Sequence, residues 1–373
     1  MRNGRRLVWA CAFVASCAIA ATMALFILPQ RSDKMMPQAL AASAFPLGVL
    51  GDSNSHSYHD SVWFPDQGPA RGGKYHATTF QWTEILAKLR GNQVDLGLWG
   101  DWGTRGSVAM LREWFGLKAR APRKIDYRNN LAWSGAGCDD LMRGNWRQAP
   151  RLVALMDDDP DAWRKGIVII SIGMASFGNA DHLERFAKNP LDTVETSVMA
   201  DCVDQIRAAM NLIRSKHAQV RFALVGIFDD SNDPDNFARW QSAAELSNIS
   251  AGLNVFDLAL RKIADGDPRI AFFDNRAWFK EHWGVRAPTG EPAYREVSIG
   301  NNFKVSNIRG DDPHNTVLLD GHAGSVWNGL WTQSMVELMN AHFGTDIPPI
   351  SDAEIVRIID ANGALGIGSE PSK

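Results

Sequence analysis

Apolar runs and helical spacings alternate along this chain from residue 45 onwards. Residues 167–172 form a continuous apolar run rich in β-branched side chains, which is typical of a strand covered on both faces. Segments with helical spacing separate this run from other short apolar runs. The pattern predicts strands at 45–50, 94–99, 130–133, 167–172, 222–228 and 270–273, and helices at 80–89, 139–156, 193–217, 237–264 (broken near Gly252) and 324–342.

This alternation predicts a three-layer α/β/α sandwich around a mostly parallel, flavodoxin-like sheet. Residues 294–308 predict a β-hairpin insertion around Gly300, Asn301 and Asn302. Ser351, followed three residues later by Glu354, has the capping-box spacing that starts a short last helix. We therefore expect a single domain over residues 45–373, with the hairpin inserted into it.

The N-terminus has the pattern of a targeting segment. Arg2, Arg5 and Arg6 precede an almost unbroken apolar stretch over residues 7–28, which is long enough to cross a bilayer as a helix. This predicts an uncleaved signal anchor at 1–28, or a cleaved signal peptide that ends near residue 44, with a linker at 29–44. In both cases we expect the domain to be exported, and it stays attached to the membrane if the segment is uncleaved.

Composition narrows the function classes. The chain has 373 residues, 45% hydrophobic, and a net charge of −3, so it can bury a large core and offers no basic surface for nucleic acid. Residues 14–17 resemble a lipobox, but the apolar run continues past Cys17, which disfavours a lipoprotein. Cys138 and Cys202 remain in the exported part. An oxidising compartment permits a disulfide between them, although two free buried thiols are the expected state.

Four segments combine glycine with groups that can carry chemistry. Gly51-Asp52-Ser53 directly follows the first apolar run, which places Ser53 on a turn at the carboxyl end of a buried strand, where open α/β sheets keep their sites. The second segment is the glycine turn at 134–137 and the third follows the strand that ends near Gly173. The fourth is Asp320-Gly321-His322, just before the last long helix.

The order of these segments resembles the SGNH, or GDSL, hydrolase family, over roughly residues 45–361. The family has four conserved sequence blocks in order along the chain. The first is GDS, which contains the nucleophile, the second is a glycine block, the third is GxND and the fourth contains the Asp and His. The resemblance implies an esterase with Ser53 as nucleophile, His322 as base and Asp320 as the carboxylate that orients it. It further implies an oxyanion hole from the amides of Ser53, Gly135 and Gly173, and neither a cofactor nor a metal. The lipase elbow G-x-S-x-G is absent because position 55 is Ser.

The sequence departs from the family pattern in two places. The family has D-x-x-H in the last block, whereas Asp320 stands only two positions before His322. Asp311 and His314 do have the D-x-x-H spacing, so they form an alternative catalytic pair. In block three Ala175 stands where the family has Asn, so one oxyanion donor is missing and a slow esterase is expected. Ser176 and Asn179 are possible replacements.

Two other polar segments are open to a functional interpretation. His56 and His59 have a spacing seen among zinc ligands, but without a third ligand in register we interpret them as loop histidines. Residues 229–233 are rich in Asp and follow a predicted strand; a polar loop is favoured over a lining of the cleft.

The resulting prediction is a serine esterase acting on acyl esters, such as an acetylated sugar or a lipid. A non-catalytic surface or binding protein on the same scaffold, or an acyltransferase acting on a polysaccharide, are the alternatives. The expected partner is therefore a small-molecule or polysaccharide ester.

Overall fold

The computed structural model describes residue 41 and residues 44–287, 289–300 and 303–360. The predicted targeting segment and nearly all of the predicted linker lie outside the described residues. Within the described part, no helix is long and apolar enough to cross a membrane.

Strands and helices follow one another as the apolar pattern predicts. The strands are β1 (Phe45–Gly51), β2 (Val94–Asp95), β3 (Trp99–Trp102), β4 (Lys124–Tyr127), β5 (Ile167–Ser171), β6 (Arg221–Val225), β7 (Ile270–Phe273), β8 (Val297–Ile299), β9 (Phe303–Arg309) and β10 (Asn315–Val317). The helices are α1 (Trp82–Arg90), α2 (Gly106–Trp114), α3 (Gln148–Met156), α4 (Ala180–Lys188), α5 (Thr193–Lys216), α6 (Ala243–Asp265), α7 (Asn275–Trp283), α8 (Ser325–Phe343) and α9 (Asp352–Ile359).

The central sheet has five strands in the order β2-β1-β5-β6-β7, and every neighbouring pair is parallel. Counted along the sheet alone this is the flavodoxin-like order 2-1-3-4-5. Gly51 at the end of β1 pairs with Ser171 at the end of β5. The segments that begin with Asp52 and Ile172 therefore leave the sheet side by side at its carboxyl edge.

Helices cover both faces of this sheet. Val168 and Ile170 of β5 pack into a core with α3, α4, α5 and α6. Ile167 and Ile169, which point to the opposite face, pack with α1, α7, α8 and α9. The predicted three-layer α/β/α sandwich is confirmed, and the continuous apolar run of β5 is explained because both of its faces are buried.

A disulfide joins Cys138 to Cys202 on the first of these faces, so the expectation of two free thiols was wrong. Cys138 begins a short 3₁₀ turn after the glycine turn, and Cys202 lies on α5. Their Cα atoms are 5.0 Å apart, which is within the range that a disulfide spans. Burial of both residues was compatible with either state, and only their proximity in the fold decides between the two.

Two predicted helices have different bounds in the structure. The helix predicted over 139–156 begins only at Gln148, because Gly144 and Arg147 take positive φ angles of 64° and 25° that interrupt the helical path. The helix predicted over 237–264 begins at Ala243 and is not broken at Gly252. A Cβ on Gly252 would lie 2.4 Å from Cδ1 of Phe186, so this glycine permits close packing of α6 against α4.

Predicted strands near the edges of the sheet are shorter than expected. Residues 130–133 form a single bridge between Asn130 and Val49 rather than a strand. The run 94–99 is divided between β2 and β3, because Gly97 takes a φ of +77° between them. From there β3 pairs antiparallel with β4 in a separate two-stranded sheet that the apolar pattern did not predict.

A separate three-stranded sheet directly precedes the loop that carries Asp320 and His322. β8 pairs antiparallel with β9, in the hairpin at 294–308, and β9 pairs parallel with β10. After β10 the chain runs through Asp320 and His322 into α8. Ser351 and Glu354 form the predicted capping box at the start of α9.

Candidate active site

Ser53 lies where the sequence places it, at the start of a short 3₁₀ turn that directly follows β1. The Asp52 carboxylate caps this turn by accepting hydrogen bonds from the amides of Asn54 (3.0 Å) and Met174 (3.2 Å). Burial raises the pKa of Asp52 to about 6, although the amides of Asn54, Met174 and Gly173 lower it. Asp52 thus connects the turn that carries Ser53 to the turn that begins at Met174.

His322 and Asp320 are in contact on the loop between β10 and α8. His322 Nδ1 lies 3.2 Å from Asp320 Oδ1 and 3.1 Å from the Asp320 carbonyl oxygen. The loop turns back on itself at Gly321, which has a φ of +79°, and the Leu318 amide donates to the His322 carbonyl oxygen at 2.7 Å. Because of this turn, a spacing of two residues brings the carboxylate to the imidazole.

Arg71 is a third member of this group, and no motif in the sequence predicted it. Its Nη1 lies 2.6 Å from His322 Nδ1 and forms an ion pair with the Asp320 carboxylate. The Arg71 amide also donates to Asp320 Oδ2 at 2.9 Å. The side chain is buried, with its guanidinium 4.2 Å above the ring of Phe64. Residues 71–73 all have positive φ angles, which is why two glycines follow the arginine.

The guanidinium sets the charge state of both partners. Burial alone would raise the pKa of Asp320, but the hydrogen bond from His322 and the charge of Arg71 hold it well below its usual range. Burial, and after it the charge of Arg71, lowers the pKa of His322, while Asp320 opposes this shift. The imidazole is therefore neutral, and able to accept a proton, beside an ionised carboxylate.

A second chain of hydrogen bonds runs from the other side of Arg71 into the core. Arg71 Nη2 donates to Ser134 Oγ at 3.2 Å, and that oxygen lies 3.0 Å from His56 Nδ1. His56 Nε2 lies 2.8 Å from Asp60 Oδ2, and both of these side chains are completely buried. Burial, together with the charge of Lys124, holds the pKa of His56 well below its usual range. His56 is therefore neutral, with Nε2–H donating to Asp60 and Nδ1 accepting.

The same histidine holds the backbone of the glycine turn. The Ser134 amide donates to His56 Nδ1 at 3.1 Å, and the Trp133 amide donates to the carbonyl oxygen of Gly51 at 3.3 Å. Gly135 follows with a φ of +92° and is exposed. The turn is thus fixed against β1 while Gly135 stays open to the solvent side of the site.

The block-three residues considered as extra oxyanion donors have other roles. Ser176 Oγ accepts a hydrogen bond from the Cys138 amide at 3.0 Å, and Asn179 Oδ1 caps α4 by accepting from Asp181. Ala175 is exposed, whereas Met174 lines the cavity described below. A π turn over Met174–Gly178 produces this arrangement.

Asp311 and His314 are not paired with each other in the described structure. His314 Nδ1 lies 2.7 Å from Oδ1 of Asp312, and its ring is half exposed. Asp311 instead accepts a hydrogen bond from the Leu319 amide at 3.1 Å, which supports the loop that leads to Asp320. The contact between Asp311 and His314 that the D-x-x-H spacing predicts is therefore not formed, and His314 pairs with Asp312 instead.

A cavity of about 80 Å³ opens beside His322. Asn54 from block one, Met174 from block three and His322 from block four share its rim. Asp230 and Asp233 also line it, so the interpretation of residues 229–233 as a loop away from the cleft was wrong. This loop follows β6, and it reaches the cleft because β6 ends at the same carboxyl edge of the sheet.

His56 and His59 have separate carboxylate partners rather than a common metal. His59 Nδ1 lies 2.9 Å from Glu84 Oε1, while His56 pairs with Asp60. Within the residues that the structure describes, no group of three or more His, Cys, Asp or Glu side chains could hold a metal ion.

No protein-family model and no curated protein matches the sequence. Among solved structures, the chain is similar to an extracellular lipase from Streptomyces rimosus, with 15% identity and a TM-score of 0.30, over 67% of this chain and 86% of the lipase. It is also similar to a phospholipase A1 from Streptomyces albidoflavus, with 12% identity and a TM-score of 0.25, over 65% of this chain and 87% of that one. At such TM-scores neither likeness carries an argument. The resemblance to the SGNH hydrolases is supported instead by the sheet order and by the placement of the four blocks at one edge.

Proposed function

We propose that the protein is a serine esterase that hydrolyses acyl esters at the carboxyl edge of the sheet. One observation carries the proposal: the contact of His322 with Asp320 lies at the rim of a cavity that Asn54, the neighbour of Ser53, also lines. The turn that carries Ser53 and a neutral imidazole therefore meet at one opening, and an ionised carboxylate contacts that imidazole, as ester hydrolysis by a serine requires.

In the proposed reaction Ser53 Oγ attacks the ester carbonyl carbon while His322 takes the hydroxyl proton. The carbonyl oxygen becomes an oxyanion, which the amides of Ser53, Gly135 and Gly173 stabilise. His322 then gives its proton to the leaving alcohol, and an acyl-serine forms. Water, activated by His322, releases the acid and restores Ser53; a sugar hydroxyl in place of water would make the reaction an acyl transfer.

The arrangement needs one rearrangement before attack. Within the described part of the chain, no hydrogen bond joins Ser53 Oγ to His322, and Arg71 Nη1 occupies the neighbourhood of Nδ1. Catalytic hydrogen bonds are often long in free enzymes and tighten only with substrate. Transfer of the Nδ1 contact from Arg71 to Asp320 would orient Nε2 as the acceptor for the Ser53 proton.

Ser134 is the competing nucleophile, because its hydroxyl already contacts a neutral histidine that an aspartate orients. We favour Ser53 for two reasons. His56 Nδ1 also accepts a hydrogen bond from the Ser134 amide, and the burial of His56 opposes the positive charge that a general base must take up.

A fluorophosphonate probe and p-nitrophenyl acetate, applied to wild type, Ser53→Ala and Ser134→Ala, test which serine is the nucleophile. We expect labelling and hydrolysis to disappear in Ser53→Ala, by several orders of magnitude in rate, and labelling to persist in Ser134→Ala.

Loss of labelling only in Ser134→Ala would identify Ser134, in the second chain of hydrogen bonds, as the nucleophile. A folded wild-type protein that neither reacts with the probe nor hydrolyses any ester would support the non-catalytic alternative instead.

The proposal includes export of the domain. The basic and apolar pattern at residues 1–28 predicts it, and the Cys138–Cys202 disulfide supports an oxidising compartment. Cell fractionation of the full-length protein with a C-terminal reporter tests it, and recovery of the reporter in the soluble cytoplasmic fraction would contradict it.

A further inference from the structure

We propose that the cavity beside His322 holds the acyl group of the substrate and restricts it to short, uncharged chains of about two to four carbons. This inference rests on the proposed esterase function, because it assigns the cavity to the acyl side of the scissile bond. It commits to a substrate class, short-chain and above all acetyl esters, that the catalytic residues alone leave open.

The position of the cavity connects it to the reacting groups. Its rim carries residues from three blocks: Asn54 follows the nucleophile, Met174 belongs to block three, and His322 is the base. An ester carbonyl held between Ser53 and His322 must send its acyl chain towards this opening or away from the protein. A recess next to the carbonyl carbon is where an esterase binds the acyl chain.

The size of the cavity limits that chain. Its volume is about 80 Å³. For comparison, an apolar cavity of roughly 150 Å³ holds one benzene molecule, and a water molecule takes up roughly 30 Å³ of the liquid. A volume between these two accommodates an acetyl group with ease and a butyryl group closely, whereas an octanoyl chain does not fit.

The aromatic side chains in the cavity wall pack against further aromatic rings, which restricts their movement. Trp327 packs against Phe279, Trp283 and Trp278, with ring centroids 5.1, 5.7 and 5.8 Å away. Trp331 packs against Trp82 at 5.0 Å. Close-packed interiors accept added carbon atoms only by displacing neighbours, which is unfavourable. A longer chain therefore cannot enlarge the cavity without moving a stack of rings.

Polar atoms of the walls are paired with other protein groups. Trp331 Nε1 donates to Asn275 Oδ1 at 3.2 Å, and the Tyr58 hydroxyl donates to the Ala323 carbonyl oxygen at 2.9 Å. Asn328 Nδ2 donates to the same carbonyl oxygen at 3.1 Å. These contacts leave the ring faces of Trp327 and Trp331 for a ligand, while Asp230 and Asp233 keep another part of the lining polar.

Charge excludes acidic acyl groups. Asp230 and Asp233 line one side, and Asp233 is buried next to the half-exposed Arg309, with the nearest charged atoms 3.8 Å apart. A second carboxylate, as in a succinyl ester, would enter beside the Asp233 carboxylate and be repelled. The cavity therefore favours an uncharged chain.

The chain-length profile of the full-length protein tests the inference. We would measure kcat/KM for p-nitrophenyl acetate, butyrate and octanoate, and expect the octanoate value to be roughly 10- to 100-fold below the acetate value. Activity that is equal for octanoate, or highest for it, overturns the inference while the esterase function stands. Absence of hydrolysis with all three esters removes the esterase proposal itself, so the two failures are distinguishable.

A wall variant adds a second test. Phe228 lines the cavity, is half exposed, and packs against Trp327 at 5.0 Å, so Phe228→Ala enlarges the cavity from its accessible side. We expect the octanoate-to-acetate ratio to rise several-fold in Phe228→Ala. Phe237→Ala is the matched control, since this half-exposed ring stacks on Tyr294 and does not line the cavity. An equal change of the ratio in both variants, or none in Phe228→Ala when circular dichroism shows it folded, contradicts the assignment.

Discussion

Arg71 Nη1 lies 2.6 Å from Nδ1 of His322, on the side of the imidazole where Asp320 also makes contact. A cation beside the base of a serine esterase disfavours the protonated imidazole. It also keeps Asp320 ionised, so the carboxylate remains available to orient the ring. Arg71 also contacts Ser134, and it thereby connects His322 to the buried hydrogen-bond chain of Ser134, His56 and Asp60.

Replacement of Arg71 by Gln should shift the pH dependence of the reaction. Without the guanidinium charge the pKa of His322 rises, so the acid limb of the kcat/KM profile moves to higher pH, because the base must be neutral to act. Arg71→Lys retains the charge and should move the limb less. Profiles of kcat/KM against pH for the three proteins provide the measurement, and an acid limb in Arg71→Gln that matches wild type would show that Arg71 does not act on the base.

His322 and His314 provide a matched pair for the identity of the base. We expect His322→Ala to lose at least ~10³-fold in kcat, as in other triads. His314→Ala should remain close to wild type, because its half-exposed ring pairs with Asp312. Steady-state kinetics on p-nitrophenyl acetate measure both. If His314→Ala is the inactive variant, the Asp311 and His314 pair is catalytic and our alignment of the last block is wrong.

Asp230 should destabilise the folded protein at neutral pH. Burial, followed by the charges of Asp233 and Asp229, raises its pKa to about 7 from 3.8. The folded state then holds a proton that the unfolded state has lost, so stability falls as pH rises from about 4 to 7. Asp230→Asn removes this effect and should stabilise the protein by on the order of 1–3 kcal/mol at pH 8, with little change at pH 4.

Urea unfolding at the two pH values measures this difference. Asp265→Asn, at an exposed position near the end of α6, is the control and should behave as wild type at both. A gain in Asp230→Asn that is the same at pH 4 and pH 8 would refute the titration argument.

Reduction of the disulfide should lower the stability of the first helical layer. Cys138 and Cys202 are separated by 64 positions, and closing a loop of this length contributes about 4 kcal/mol in the chain-entropy model. We expect the urea midpoint of the wild-type protein to fall in dithiothreitol. A variant with both Cys138→Ala and Cys202→Ala should already have the lower midpoint and show no response to the reductant; a response of equal size would assign the effect to something else.

The sequence predicted those parts of the fold that periodicity determines. The bounds of β5 and α5 follow directly from a continuous apolar run and from a long amphipathic pattern. Interruptions were harder to predict, because Gly252 resembles a helix break in sequence and is in fact a packing contact with Phe186. Local pattern alone does not distinguish a glycine that ends a helix from one that lets another ring approach.

The site was predictable in part for the same reason. Ser53 and His322 belong to motifs that are continuous in sequence, so their placement at the edge of the sheet could be expected. Arg71 lies in a glycine-rich segment without periodicity, and its partner Asp320 is 249 positions away. The spacing of four between His56 and Asp60 was a local signal for their contact. The contact was not predicted, because both histidines were interpreted as loop residues without a specific partner.

The long separation between Arg71 and Asp320 in sequence also determines the stage of synthesis and folding at which the site forms. Contacts between distant positions form only after the intervening chain has been delivered, and the entropy of closing such a loop delays them further. Strand β1, which leads to the proposed nucleophile Ser53, is synthesised early. The proposed base His322 is synthesised only with the last part of the domain. An exported chain that crosses the membrane unfolded would therefore complete the proposed catalytic site only after translocation.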